Sequence, residues 1–172
     1  EKPKDVSGSV IISTVEGTRP MLLELQALVA PTNFGMARRT STGVDFNRVA
    51  LLLAVLEKRI GLQIQNQDVY INVVGGIKIN EPSIDLGIVI AVASSFRNIP
   101  IASDIVVTGE VGLTGEIRAV SYIEKRIAEC KKLGFKKIVI PRNNYEVVKD
   151  VKGIEIIPVD NLRQAINIVL RG

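Results

Sequence analysis

The most restrictive part of the sequence is the stretch from Gly75 to Phe96, GGIKINEPSIDLGIVIAVASSF. From Ile84 to Ala93 only Asp85 and Gly87 interrupt an apolar run, so a helix here is buried on most sides. Gly75-Gly76 marks a turn into a short basic strand, Ile77-Lys78-Ile79. Asn80 and Glu81 then open the helix, with Pro82 in its first turn, where a proline is tolerated. Ser83 falls at that helix start. Unpaired N–H groups and the helix dipole favour negative charge there, which suits a serine nucleophile or an anion site.

Several absences narrow the chemistry. The chain has no His, which removes Ser-His-Asp and Cys-His mechanisms and histidine-ligated metals. A single Cys permits no internal disulfide and no cysteine zinc cluster. No GxxxxGK[ST] phosphate loop occurs. No apolar run reaches the ~18 residues of a membrane span, and the opening EKPKDVSG has no signal-peptide core. The 172 residues fit one domain, and the missing initiator Met suggests a domain cut from a longer protein. The formal charge of +4 favours an acidic partner such as nucleic acid. With aromatics at 4% and no Trp, contact with a phosphate backbone is a better fit than base stacking.

Local patterns divide the chain. Ser9 to Val15 and Met21 to Ala30 read as strands joined by a turn at Glu16–Pro20, and a further turn is expected at Pro31–Gly35. Met36 to Gly43 reads as a strand edge and loop. Asp45 to Ile60 is predicted as a helix capped by Asp45 and closed by Gly61. Asp68–Val74 and Ile105–Val111 read as strands, and the glycines at 109, 112 and 115 mark a tight hairpin returning through Glu116–Ala119. Ser121 and Glu124 form a capping box for a helix to Leu133, with Ile123, Ile127 and Cys130 on its buried face. Arg126 flanks that face and Lys125 points outward. A strand at Lys136–Ile140, a short helix at Asn144–Asp150, a strand at Ile154–Val159 and a final helix capped by Asp160 complete the pattern. The expected class is α+β in two layers, with an antiparallel N-terminal half and a βαβ-type C-terminal half.

Pro82-Ser83 at a helix start, DIVVTGE at 104–110 and a later helix with an inward basic residue resemble the proteolytic domain of Lon proteases. In that family the serine's general base is a lysine forty-three residues downstream. Here that position is Arg126, which stays protonated and cannot serve as a base. Glu81, Ile84 and Asp85 replace the small residues that surround the protease serine. Further motifs are GTRP (17–20), the run Ala37 to Arg48, QIQNQD (63–68), GGIKI-x-EPSIDL and GEVGLTGEIR. Together they resemble the Lon-like C-terminal domain of the bacterial RadA (Sms) family, over nearly the whole chain. In that family Ala commonly stands where this chain has Ser83. The related fold of small-molecule kinases carries a Gly-Ser-rich phosphate loop that this chain lacks.

The resemblance implies a non-peptidase Lon-like fold over residues 1–172, with Ser83 and Arg126 as a degenerate dyad. It further implies a cytoplasmic DNA repair and recombination ATPase that drives branch migration as a hexameric ring. Its zinc finger and RecA-like ATPase would lie upstream, with ATP, Mg and Zn, leaving no cofactor in this chain. The implied partners are DNA, further copies of the chain and the RecA recombinase, without a membrane. Candidate phosphate contacts are Arg19, Arg38, Arg39, Arg48, Lys78 and Arg118, each at a turn, loop, strand edge or helix start. Adjacent residues of an extended chain face opposite ways, so Arg38 and Arg39 diverge, and Arg39 with Arg48 is the favoured pair. The plainer reading of Arg48 is a salt bridge to Asp45 or another carboxylate.

Overall fold

Runs of Val, Ile and Leu fix the sheet first, and the helices then cover it. In chain order the elements are β1 (Ser9–Glu16), β2 (Arg19–Pro31), β3 (Arg39–Thr42), α1 (Phe46–Val55), β4 (Gln67–Val73), α2 (Asp85–Arg97), β5 (Ile105–Val107), β6 (Glu110–Val111), β7 (Ile117–Arg118), α3 (Ile123–Lys132), β8 (Lys137–Pro141), β9 (Glu155–Val159) and α4 (Leu162–Val169). The computed structural model describes residues 5–33 and 35–170. Residues 1–4, and Phe34 of the expected turn at 31–35, lie outside them.

One seven-stranded sheet runs β3-β4-β2-β1-β5-β8-β9. β2 is antiparallel to β1 and to β4, while every other pairing is parallel. Six strands therefore end at one edge, and the N-terminus of β2 shares that edge. The expected antiparallel half holds for β1, β2 and β4, but β3 joins β4 in parallel and the β1–β5 pairing merges both halves into one mixed sheet. The glycine-rich segment after β5 forms the expected hairpin, β6 against β7.

The two-layer expectation gives way to helices on both faces. α1, α2 and α4 share one core with Val10, Ile12, Leu25, Val69 and Val107. Ile123, Ile127 and Cys130 of α3 pack on the opposite face against Ile11, Val106, Ile138 and Ile140. The reason lies in β5 and β8, whose unbroken apolar runs have two faces to bury. Leu22 near the start of β2 still packs into this second core, but further along β2 that face is open, and Leu28 there is 58% exposed.

Several local expectations change. Ile77–Ile79 is no strand: Ile79 makes a single parallel bridge to Val44. A 3₁₀ turn, Pro82–Ile84, precedes α2. Ser121 does not cap α3. Tyr122 precedes the helix in left-handed geometry, and the Ser121 carbonyl accepts a bond from Arg126 Nε at 2.7 Å. No helix forms over Asn144–Asp150: a 3₁₀ turn at Arg142–Asn144 leads into successive turns, and the Asn144 amide is held by both backbone groups of Val120. Asn161, not Asp160, caps α4, since the Asp160 carboxylate faces Arg142 at 2.9 Å. Asp45 caps α1 and Gly61 ends the following turn, as expected.

Candidate functional site

The helix start singled out in the sequence lies at the edge where the parallel strands end. The turn at Pro82–Ile84 sits between the ends of β1 and β5: the Ser83 hydroxyl donates to the Ser13 carbonyl at 3.2 Å, and Gly109 N–H donates to the Ser83 carbonyl at 2.9 Å. Arg126, in the first turn of α3, reaches through the sheet edge. Its Nη1 donates to Ser83 Oγ at 3.2 Å and to the Ser13 carbonyl at 2.9 Å. Ser83 is 3% exposed and Arg126 is fully buried. The two positions forty-three residues apart are thus in direct contact, and the contact is a guanidinium donating to a hydroxyl.

A buried guanidinium needs a counter-ion, and Glu81 supplies it through Arg126 Nη2. The other Glu81 oxygen accepts from Val15 N–H at 2.7 Å and Thr14 Oγ1 at 3.0 Å. Burial works against ionisation of this carboxyl. The neighbouring Ser83 hydroxyl, the Val15 amide and the Arg126 guanidinium outweigh it and hold the Glu81 pKa below its ordinary value.

A second arginine–carboxylate pair lies beyond the serine. Arg48 of α1 grips Asp85 of α2, with Nε to Oδ1 at 2.9 Å and Nη2 to Oδ2. Asp85 is completely buried and also accepts from Val111 N–H at 3.1 Å. Hydrogen bonding to Asp85 raises the Arg48 pKa above its ordinary value, despite partial burial. Asp85, not Asp45, is therefore the partner of this arginine. Glu81 and Asp85, read from sequence as bulk and negative charge beside the serine, are the counter-ions of two arginines. Their spacing of four residues around Ser83 was the available signal.

The six candidate cations do not meet on one surface. Arg19 and Lys78 are exposed near the end of the β1–β2 hairpin, where the lining of one cleft runs from Thr14 to Gly17 and from Ile77 to Glu81. Arg118 is at the same edge, paired with Glu116 at 3.1 Å. Arg38 is exposed and Arg39 half-buried at the opposite edge, where β3 begins. The Arg39 guanidinium is committed to the carbonyls of Gln67 and Ile64, at 2.6 and 3.0 Å, and lies 3.8 Å from Glu57. Since Glu57 follows α1 and Arg48 is in its first turn, the favoured pair sits at opposite ends of α1, about 13 Å apart along the axis.

Three adjoining clefts of about 300, 410 and 400 Å³ share Asn80. Ser83 lines none of the three, so its hydroxyl is turned into the protein rather than toward a cleft. Among the described residues no group of His, Cys, Asp and Glu side chains could hold a metal, and no helix is long and apolar enough to cross a membrane.

The family described as subunit ChlI of Mg-chelatase matches residues 34–144, well over half of the chain. The whole chain is 54% identical to a Bacillus subtilis protein named DNA repair protein RadA, of which it covers 38%. Proteins of the same name from Halalkalibacterium halodurans and Listeria monocytogenes are 51% and 49% identical over 99% and 96% of this chain, which covers 37% and 36% of them. The chain thus spans little more than a third of the length of these relatives. It belongs to the ChlI family, and throughout its length it is a homologue of part of the proteins named DNA repair protein RadA.

Proposed function

We propose that the chain is a Lon-like but non-peptidase domain of a RadA-type DNA repair protein, acting as a DNA-contacting and assembly scaffold. The observation that carries this reading is the Ser83–Arg126 contact. A nucleophilic serine needs a group that can take its proton. Arginine cannot, and Ser83 donates to a main-chain carbonyl instead. Glu81, the carboxylate beside it, is a poorer base than an ordinary glutamate because its pKa is held down. Incubation with a serine-reactive phosphonate should leave Ser83 unlabelled. Turnover of any polypeptide that disappears in Ser83→Ala would overturn the non-peptidase reading.

DNA contact is supported by the net charge of +4 and by the exposed Arg19, Arg38 and Lys78. Such binding would be independent of sequence and would fall steeply with salt, so an affinity that stays flat from about 50 to 200 mM salt would count against it. The DNA-repair part of this reading is supported by the name of the relatives. The wider proposal extends the family resemblance: a cytoplasmic, hexameric, ATP-, Mg- and Zn-dependent protein that drives branch migration alongside the RecA recombinase.

A second reading, a purely structural ring-assembly domain, is favoured by the internal pairing of Arg39, Arg48 and Arg118 and by the open sheet face around Leu28. Arg19→Ala with Lys78→Ala tests the carboxyl-edge contact without touching a buried pair. Weakened DNA binding supports that contact, whereas unchanged affinity in a folded assembly removes these two residues from the interface.

A further inference from the structure

The strongest unassigned concentration of charge lies away from all six candidate cations. The run Lys131-Lys132-Leu133-Gly134-Phe135-Lys136-Lys137 holds four lysines and no acid. The whole chain has 22 basic and 18 acidic residues, so removing these four leaves 18 of each. The net charge of the chain is therefore equal to the charge of this one run.

The fold gathers it into a patch. α3 ends in the left-handed Gly134, which turns the chain straight into β8. The backbone amides of Lys136 and Lys137 both donate to the Asp104 carbonyl, at 2.9 and 3.1 Å, fixing the start of β8 beside β5. Glu155 N–H donates to the Lys136 carbonyl at 2.9 Å and brings up the start of β9. The Lys131 side chain lies over Gly153, so that Lys152 joins the same corner. All five lysines are exposed. Among the described residues none of the five belongs to an ion pair, although Glu155 is opposite Lys137 in register and Glu129 is one turn back on α3. The helix dipole favours Lys131 and Lys132 in the last turn of α3, but it gives no reason for Lys136, Lys137 or Lys152. Ammonium groups crowded together repel one another; the phosphates of a polyanion neutralise that repulsion, and release of its condensed counter-ions adds to the gain.

We propose that Lys131, Lys132, Lys136, Lys137 and Lys152 form a docking surface for the phosphate backbone of duplex nucleic acid. The patch has no aromatic platform beyond the half-buried Phe135, which suits backbone contact rather than base stacking. It lies at the edge where β8 and β9 begin, about 16 Å along a strand from the Ser83 edge. The inference rests on the DNA-contacting reading above and relocates the contact.

The test is the affinity of the purified protein for a labelled duplex over a salt series. Lys131, Lys132, Lys136 and Lys137 are changed together to Gln, and in a second variant to Arg. We expect the Gln variant to bind about tenfold or more weakly at low salt, with a slope of log affinity against log salt shallower by about 3 to 4. The Arg variant should bind as the parent does, which separates charge from any loss of folding. Parent-like binding by the Gln variant, with loss confined to Arg19→Ala and Lys78→Ala, overturns the lysine surface but leaves DNA contact standing. No duplex binding by the parent overturns both. Binding by the parent to anionic vesicles but not to duplex assigns the patch to a lipid surface and overturns the proposal.

Discussion

Arg126 makes hydrogen bonds to Ser121, Ser13, Ser83 and Glu81 from a position without solvent contact. Such a group is costly to break from one side, because its charge stays buried. Glu81→Gln is therefore expected to destabilise the fold by about 2–4 kcal/mol in denaturant titration. The pH dependence has a definite sign. The folded pKa of Glu81 lies below its ordinary 4.5, so its contribution is present above that value and is lost as pH falls through the lower folded value. Melting temperatures measured between about pH 6 and pH 3 should fall less steeply in Glu81→Gln than in the parent. The resemblance to Lon proteases was enough to pair Ser83 with Arg126. It did not identify Glu81 as the counter-ion, because a carboxylate one residue before a proline can turn either way until β1 presents the Val15 amide to it.

At the scale of elements, α2 is held by close contact and by one ion pair. Gly87 faces β1 so tightly that a Cβ there would overlap Ile12 Cγ2, a branched methyl that cannot swing aside. Gly87→Ala should destabilise by about 1–3 kcal/mol despite its better helix propensity, a balance measurable by equilibrium unfolding. The Arg48–Asp85 pair ties α1 to the start of α2. Arg48→Ala strands a fully buried carboxylate and should cost about 2–4 kcal/mol, with a smaller loss when Asp85→Asn is added. A fall in DNA affinity in Arg48→Ala alone would then report on folding rather than contact. Helices and strands with strong periodicity, such as α1 and β8, were legible in the sequence. The caps of α3 and α4 were not: Tyr122 turns left-handed before α3 while Arg126 takes the Ser121 carbonyl, and Arg142, eighteen residues away, takes the Asp160 carboxylate.

For the whole molecule, the apolar runs announced which strands would be buried but not how they would be ordered. The β1–β5 pairing joins residues nearly a hundred positions apart, and no local pattern encodes it. The same long-range joining decides which cations share a surface, so the position of Arg39 and Arg48 at opposite ends of α1 was invisible along the chain. Hydrogen exchange should follow the architecture. Amides of β5 and β8, covered on both faces, should exchange far more slowly than those of β3, a four-residue edge strand.

The interlocked neighbours of Ser83 also bear on descent. If the Ser83–Arg126 arrangement descends from a hydrolytic dyad of the kind it resembles, the road back is blocked at the first step. Restoring a lysine alone loses the guanidinium fork that reaches Ser121, Ser13, Ser83 and Glu81 together, and clearing Glu81 alone leaves a guanidinium unneutralised in the interior. Natural selection would meet a less stable protein before any ancestral reactivity could reappear, so the loss of chemistry works as a one-way ratchet.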